Sequence, residues 1–106
     1  MNQIELTEDS RGHPLARVQF AKAQAYAVLY LSDYERVQAL TGNASWFLNS
    51  SGNGHRYVRV WHAPTARNVM VSRLILGVEQ GAIRHQDGDP LNLRRNNLVR
   101  PRRGAV

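Results

Sequence analysis

The sequence predicts an α+β fold made of small antiparallel sheets, one or two short helices and a β-hairpin at the C-terminal end. Short runs rich in valine and tyrosine alternate with turn-forming residues along most of the chain, which favours antiparallel strands. One stretch near 32–41 has the hydrophobic spacing of a helix. At 106 residues we expect a single domain, with a sheet-rich part over 1–71 and a hairpin with an arginine-rich end over 72–106.

The first part of the chain combines strand signals with one helix signal. Strands are expected over 4–7, 15–20 and 25–31. The run 20–31 also contains enough alanine to be interpreted as a helix. Ser32 and Glu35 form a capping-box pattern, and Gly42 follows at a distance that ends a helix of about ten residues. Leu40 belongs to the apolar stripe that we expect this helix to bury.

A second antiparallel sheet is predicted before the hairpin, with strands over 46–49, 55–61 and 68–71. Alternation along a strand sends neighbouring side chains to opposite faces, so one face packs inward and the other meets solvent or a ligand. Arg56, Arg59 and Arg67 are the candidates for contacting DNA from this sheet, with Tyr57 and Trp61 interleaved. At least one of the two tryptophans is expected in the core.

Positive charge is concentrated in the second half of the chain. Residues 54–106 contain ten arginines and three acidic side chains, whereas residues 1–53 contain four basic and five acidic side chains. Arginine suits bidentate contact with phosphate and with guanine edges. We therefore expect a nucleic-acid partner, and the alternative is a solvated basic surface.

Composition excludes several other classes of protein. The chain has no cysteine, which excludes a disulfide framework and a thiolate metal site. No apolar run approaches the length of a membrane span, and the polar start of the chain is unlike a signal peptide. A cytoplasmic location without a membrane partner is expected.

The stretch 82–103, AIRHQDGDPLNLRRNNLVRPRR, combines a histidine, a turn-rich loop and an arginine-rich end. It resembles the core of the HNH (ββα-metal) family, in the form found in phage and mobile-element homing endonucleases. The matching residues are His85, Gly88, Asp89, Pro90, Leu91, Arg94, Arg95, Asn97, Leu98 and Arg100. Segments 33–34, 46–49 and 72–77 also occur in the family's order, so the resemblance covers most of the chain.

The resemblance implies roles for two side chains in the hairpin. In an active family member, the histidine at the position of His85 is the general base that activates water, and a divalent metal stabilises the leaving oxygen. The asparagine at the position of Asn97 braces the loop by hydrogen bonds. A cofactor is therefore expected only if nuclease activity is retained, in which case it would be a divalent metal such as Mg²⁺.

The chain departs from the family at its metal ligands. Arg84 replaces the acidic ligand before the histidine, and the pairs 71–72 and 92–93 also differ. Proline and glycine within 101–106 predict a hairpin that lacks the family's last helix. Asp87 and Asp89 are the remaining candidates for a metal site, although Asp and Gly in this pattern favour a turn.

These observations predict a DNA-binding protein, derived from a homing endonuclease of phage type, that does not cleave its double-stranded DNA partner. One alternative is an active metal-dependent endonuclease or nickase. Another is a phage protein that binds and inhibits a host protein through its basic surface, in the host cytoplasm. The expected phosphate contacts around the hairpin are Arg84, Arg94, Arg95, Arg100, Arg102 and Arg103.

Overall fold

The structure, a computed structural model, describes residues 2–50, 54–79 and 81–100. These residues form three small antiparallel sheets and two α-helices, which confirms the predicted α+β class. The elements in chain order are β1 (Ile4–Glu8), β2 (Pro14–Gln19), β3 (Tyr26–Tyr30), α1 (Leu31–Thr41), β4 (Trp46–Ser50), β5 (Arg56–His62), β6 (Arg67–Met70), α2 (Val71–Leu76), β7 (Arg84–His85) and β8 (Leu98–Val99).

The N-terminal sheet has the strand order β1-β2-β3. Ala27 and Leu29 of β3 are fully buried, whereas Tyr26, Val28 and Tyr30 alternate onto the more exposed face. The stretch that was open to a helical interpretation is therefore a turn followed by a strand. Phe20, Ala27 and Leu29 of this stretch enter the core, and its other side chains are partly or fully exposed.

Helix α1 begins one residue before the predicted start, and the predicted capping box is wrong. Tyr30, the last residue of β3, is the N-cap, and no side-chain hydrogen bond caps the helix. Since β3 leads directly into α1, Ser32 already lies in the first turn. Gly42 ends the helix in the left-handed conformation (φ 61°), as the pattern predicted.

The buried face of α1 also differs from the predicted stripe. Tyr34 and Val37 are buried as expected, but the Leu40 side chain is 46% exposed. Gln38 lies in the interior instead, where its Oε1 accepts a hydrogen bond of 2.8 Å from Trp46 Nε1. A polar side chain replaces the expected leucine because a buried indole N–H requires an acceptor.

The central sheet has the strand order β4-β5-β6 and follows the predicted alternation. Val58 and Val60 of β5 are buried on one face. Trp46 is only 2% exposed, which confirms that at least one tryptophan is in the core, whereas Trp61 is 47% exposed on the opposite face. Val71, predicted as the end of β6, begins helix α2 instead.

The hydrophobic core joins the N-terminal sheet, the central sheet, both helices and the loop of the C-terminal hairpin. Its fully buried large side chains are Val18, Leu29, Val37, Val60, Val71, Ile75 and Leu93. Leu93 belongs to the segment between β7 and β8, which we call the hairpin loop (86–97). The hairpin therefore contributes to the core as well as to the surface.

The C-terminal hairpin is short and is fixed to the N-terminal sheet by its loop. Strands β7 and β8 have two residues each, with Arg84 paired with Val99. Val28 N donates to Leu91 O at 2.9 Å, and Leu93 N donates to Val28 O at 2.7 Å.

The predicted lack of a last helix concerns residues 101–106, which lie outside the described residues. Within the described ranges, no helix is long and apolar enough to cross a bilayer.

Candidate nucleic-acid interface

Buried side-chain amides hold the hairpin loop. Asp87 N donates to Asn97 Oδ1 at 3.0 Å, and Asn97 Nδ2 donates to Asp87 Oδ1 at 2.9 Å and to Asn92 O at 3.0 Å. Asn92 Nδ2 donates to the other Asp87 oxygen at 2.8 Å. Asn97, the residue that the resemblance assigns to bracing, thus connects both ends of the loop. Asn92, at a position where the chain departs from the family, completes the network.

The two loop aspartates use their carboxylates within the turn. Asp87 Oδ1 also accepts from Asp89 N at 2.8 Å, and Asp89 Oδ1 accepts from Leu91 N at 3.0 Å. The hydrogen bond from the Asn92 side chain, followed by the one from Asp89 N, lowers the pKa of Asp87. No cluster of three metal-binding side chains occurs among the described residues. Asp87 is therefore an engaged anion that shapes the turn, and Gly88 provides the required positive φ of 77°.

His85 lies half-buried at the end of β7. Its Nε2 is buried, and no atom of the described residues hydrogen-bonds to it. Burial lowers the pKa of His85, and the nearby charges of Asp87 and Asp89 oppose that effect without overcoming it. The imidazole is therefore neutral at neutral pH, the form that a general base requires, but Nε2 is enclosed away from solvent.

A cleft of about 650 Å³ separates the hairpin from the start of β5. Arg56 and His55 line one wall, and Arg84 and His85 line the other. The remaining described lining residues are Gly54, Tyr57, Met70, Ile83, Gly88 and Pro90. None of these described residues is acidic. This basic cleft brings together two predicted DNA contacts, Arg56 of the central sheet and Arg84 of the hairpin.

The three sheet arginines predicted to contact DNA do not share one face. Arg59 lies on the exposed face with Tyr57 and Trp61, whereas Arg56 alternates onto the face of the buried valines. Arg67 pairs with His62 and therefore also lies on that second face. The sheet cannot insert all three side chains into one groove, because strand alternation separates them.

The hairpin arginines differ in their hydrogen bonding within the fold, and Arg95 makes such bonds although its side chain is 47% exposed. Arg95 Nη2 donates to Asp33 Oδ1 at 2.9 Å and to Ile75 O at 2.6 Å. Arg94 Nε donates to Asn92 Oδ1 at 3.0 Å. Arg84 and Arg100 are exposed on paired ends of the hairpin. Arg102 and Arg103 lie outside the described residues.

Sequence reasoning gave no role to Asp33 or to Arg73. Asp33 is buried in α1, where it anchors Arg95 at 2.9 Å. Asp33 lies one turn before Val37 on the apolar side of the helix, and this spacing indicates that its side chain faces the interior. Arg73 donates to Glu79 O at 3.4 Å and to Gly81 O at 3.2 Å, so it holds the connection between α2 and the hairpin. No sequence motif around Arg73 predicts these hydrogen bonds.

Comparison with known proteins adds no relative to this description. No family model, no curated protein and no solved structure matches the chain. The interpretation of the basic cleft consequently rests on its own side chains.

Proposed function

We propose that this protein binds double-stranded DNA without cleaving it, and that the basic cleft and the exposed edge of the hairpin form the binding surface. The observation that carries the proposal is the cleft itself, where Arg56 and Arg84 face one space with no acidic side chain among its described lining residues. Duplex DNA is a dense polyanion, and neutralising its phosphates releases counterions.

The rigidity of the hairpin supports this function. The Asn97 network fixes the loop, and the hydrogen bonds to Val28 fix the loop to the N-terminal sheet. Arg84 is therefore presented from a held backbone, which lowers the entropy lost on binding. Arg100 follows Val99, the partner of Arg84 in the hairpin, and is a further exposed cation, with its guanidinium beside Gly81 and outside the cleft lining.

Three properties of the site oppose strand cleavage. Arg84 stands at the position where the resemblance implies an acidic metal ligand, and a guanidinium repels a divalent cation. Both oxygens of Asp87 already accept hydrogen bonds within the loop. His85 Nε2 is enclosed, so a water molecule cannot be activated there without movement of the hairpin.

Fluorescence anisotropy with a labelled duplex, together with a plasmid nicking assay in Mg²⁺ or Mn²⁺, tests both parts of the proposal. We expect salt-sensitive duplex binding and no nicking. Nicking that disappears in His85→Ala would show that the site is catalytic. A lack of duplex binding at low salt would reject duplex DNA as the partner of the basic cleft and favour an acidic protein partner there.

A further inference from the structure

We propose that a segment of single-stranded DNA crosses the exposed face of the central sheet, with its bases on Trp61 and Phe47 and its phosphates in a basic pocket at the outer edge of β6. The choice of DNA as the polymer rests on the proposed function. The site itself is separate, because its aromatic and basic side chains do not line the basic cleft. Stacking and phosphate contacts together are the usual means of holding unpaired strands.

The first observation is an aromatic pair on an exposed sheet face. Trp61 is 47% exposed and Phe47 is 37% exposed. Phe47 pairs with Arg59, so it lies diagonal to Trp61 on the same face, and Arg59 is a neighbour of both residues. Diagonal neighbours on a sheet are about 7–8 Å apart, within reach of large side chains. Two rings therefore flank a cation, which suits bases joined by a phosphate.

The second observation is a pocket of about 520 Å³ that we call the edge pocket, bordered by Arg59, Arg67 and Arg73. Glu79 is the acidic residue among its described lining residues. Asn68, the cross-strand partner of Trp61, also lines it. The edge pocket is therefore positively charged and adjoins the aromatic pair.

The guanidinium groups of the edge pocket have donors without acceptors. The Nε atoms of Arg59 and Arg73 are buried, and no described residue accepts a hydrogen bond from either. Buried donors in folded proteins are almost always satisfied, and leaving one unpaired is unfavourable. The Nη atoms of Arg73 donate to the carbonyls of Glu79 and Gly81, which holds that side chain in place. Because these Nε atoms are buried, a bound phosphate would contact the outer guanidinium N–H groups at the edge pocket and not the Nε atoms themselves.

Charge and base geometry favour an unpaired DNA strand over a second copy of this chain and over duplex DNA. A second copy of this chain would bring like-charged edge pockets towards each other, which is repulsive. Bases in a duplex are stacked on each other and do not expose their faces, so the aromatic pair cannot stack on them. The edge pocket and the basic cleft share Met70, so one DNA molecule with a duplex and an unpaired region could occupy both.

The test is fluorescence anisotropy with labelled oligodeoxythymidylate, which forms no duplex. Trp61→Ala is expected to weaken binding roughly tenfold or more, because a base stacked on an aromatic side chain contributes that much to affinity. Trp61→Phe should retain most of the affinity. Tyr26→Ala removes a comparably exposed aromatic (42%) from the N-terminal sheet and should have no effect.

A second set of measurements separates the edge pocket from folding defects and from the duplex site. Arg67→Gln, an exposed position, should flatten the salt dependence of oligothymidylate binding by about one unit, and Arg17→Gln should not. Quenching of tryptophan fluorescence in the unmodified protein should report stacking on Trp61. Duplex binding should be retained in Trp61→Ala, because Trp61 does not line the basic cleft. If the unmodified protein binds oligothymidylate but no duplex, the proposed function fails and the single-strand site stands.

Three results would overturn the proposal. The first is the absence of oligothymidylate binding at low salt. The second is a folded Trp61→Ala variant with unchanged affinity and unchanged quenching. The third is binding of oligouridylate without binding of oligothymidylate, which would reject DNA as the polymer.

Discussion

His85 is subject to two opposing electrostatic effects. Removal of water disfavours the imidazolium form, and the carboxylates of Asp87 and Asp89 favour it. Burial is the larger effect, so the pKa of His85 lies below its ordinary value of 6.5. At neutral pH His85 therefore adds no positive charge to the basic cleft.

The lowered pKa of His85 predicts a specific pH dependence of stability. Unfolded His85 takes up a proton at a higher pH than folded His85, so its contribution to stability is present above pH 6.5 and is lost as the pH falls through the folded pKa. Between about pH 7.5 and about pH 5, the unmodified protein should therefore lose more stability than His85→Gln. Urea unfolding at each pH measures this, and His55→Gln, at an exposed position, is the control. Equal losses in the protein and in His85→Gln would contradict the assignment.

At the scale of elements, the hairpin depends on anchors outside its own ladder. Two strands of two residues each form few hydrogen bonds and are not stable alone. Leu93 inserts into the core, Val28 pairs with the loop, and Arg95 bonds to Asp33 of α1. The cleft wall that contains Arg84 is therefore positioned by the N-terminal half of the chain.

This anchoring predicts opposite effects for two hairpin arginines. Arg95→Ala should destabilise the fold by about 1–2 kcal/mol, because it removes two charged hydrogen bonds, while the half-exposed side chain is partly screened by water and Arg36 remains 4.0 Å from Asp33. It should change the salt dependence of duplex binding little. Arg84→Ala should leave stability nearly unchanged and flatten that dependence by about one unit. Urea unfolding and anisotropy titrations measure the two quantities, and the reverse pattern would show that Arg95 is the DNA contact.

Local patterns predicted the elements better than their connections. Alternation in β5 and the spacing of Tyr34 and Val37 depend on neighbours in sequence, so strands and helix were predicted close to their observed bounds. The start of α1 was misplaced because β3 continues directly into it. The contact of Arg95 with Asp33 spans 62 positions, so no local pattern could reveal that Arg95 is engaged within the fold.

At the scale of the molecule, the two halves of the chain have different roles. The N-terminal sheet and α1 supply core and anchors, and the central sheet and hairpin carry five of the seven arginines that are exposed among the described residues. The basic cleft and the edge pocket both lie in that second half and share Met70. Five arginines and one acidic residue are among the described residues that line the two cavities. This distribution favours fast, salt-sensitive association with a polyanion.

The most direct test of duplex binding compares two triple variants that remove equal charge. One changes the exposed arginines of the cleft and hairpin edge, Arg56, Arg84 and Arg100, to alanine. The other changes Arg11, Arg17 and Lys22, basic residues of the N-terminal half that do not line the cleft. Circular dichroism first checks that both variants are folded.

The measurement is the slope of log K against log salt concentration for a labelled duplex. Each phosphate contact contributes roughly −0.9 to this slope, so the cleft variant should be flatter by about two to three units. The N-terminal variant should keep the slope of the unmodified protein. A folded cleft variant with an unchanged slope, or equal flattening in both variants, would contradict duplex binding at the cleft.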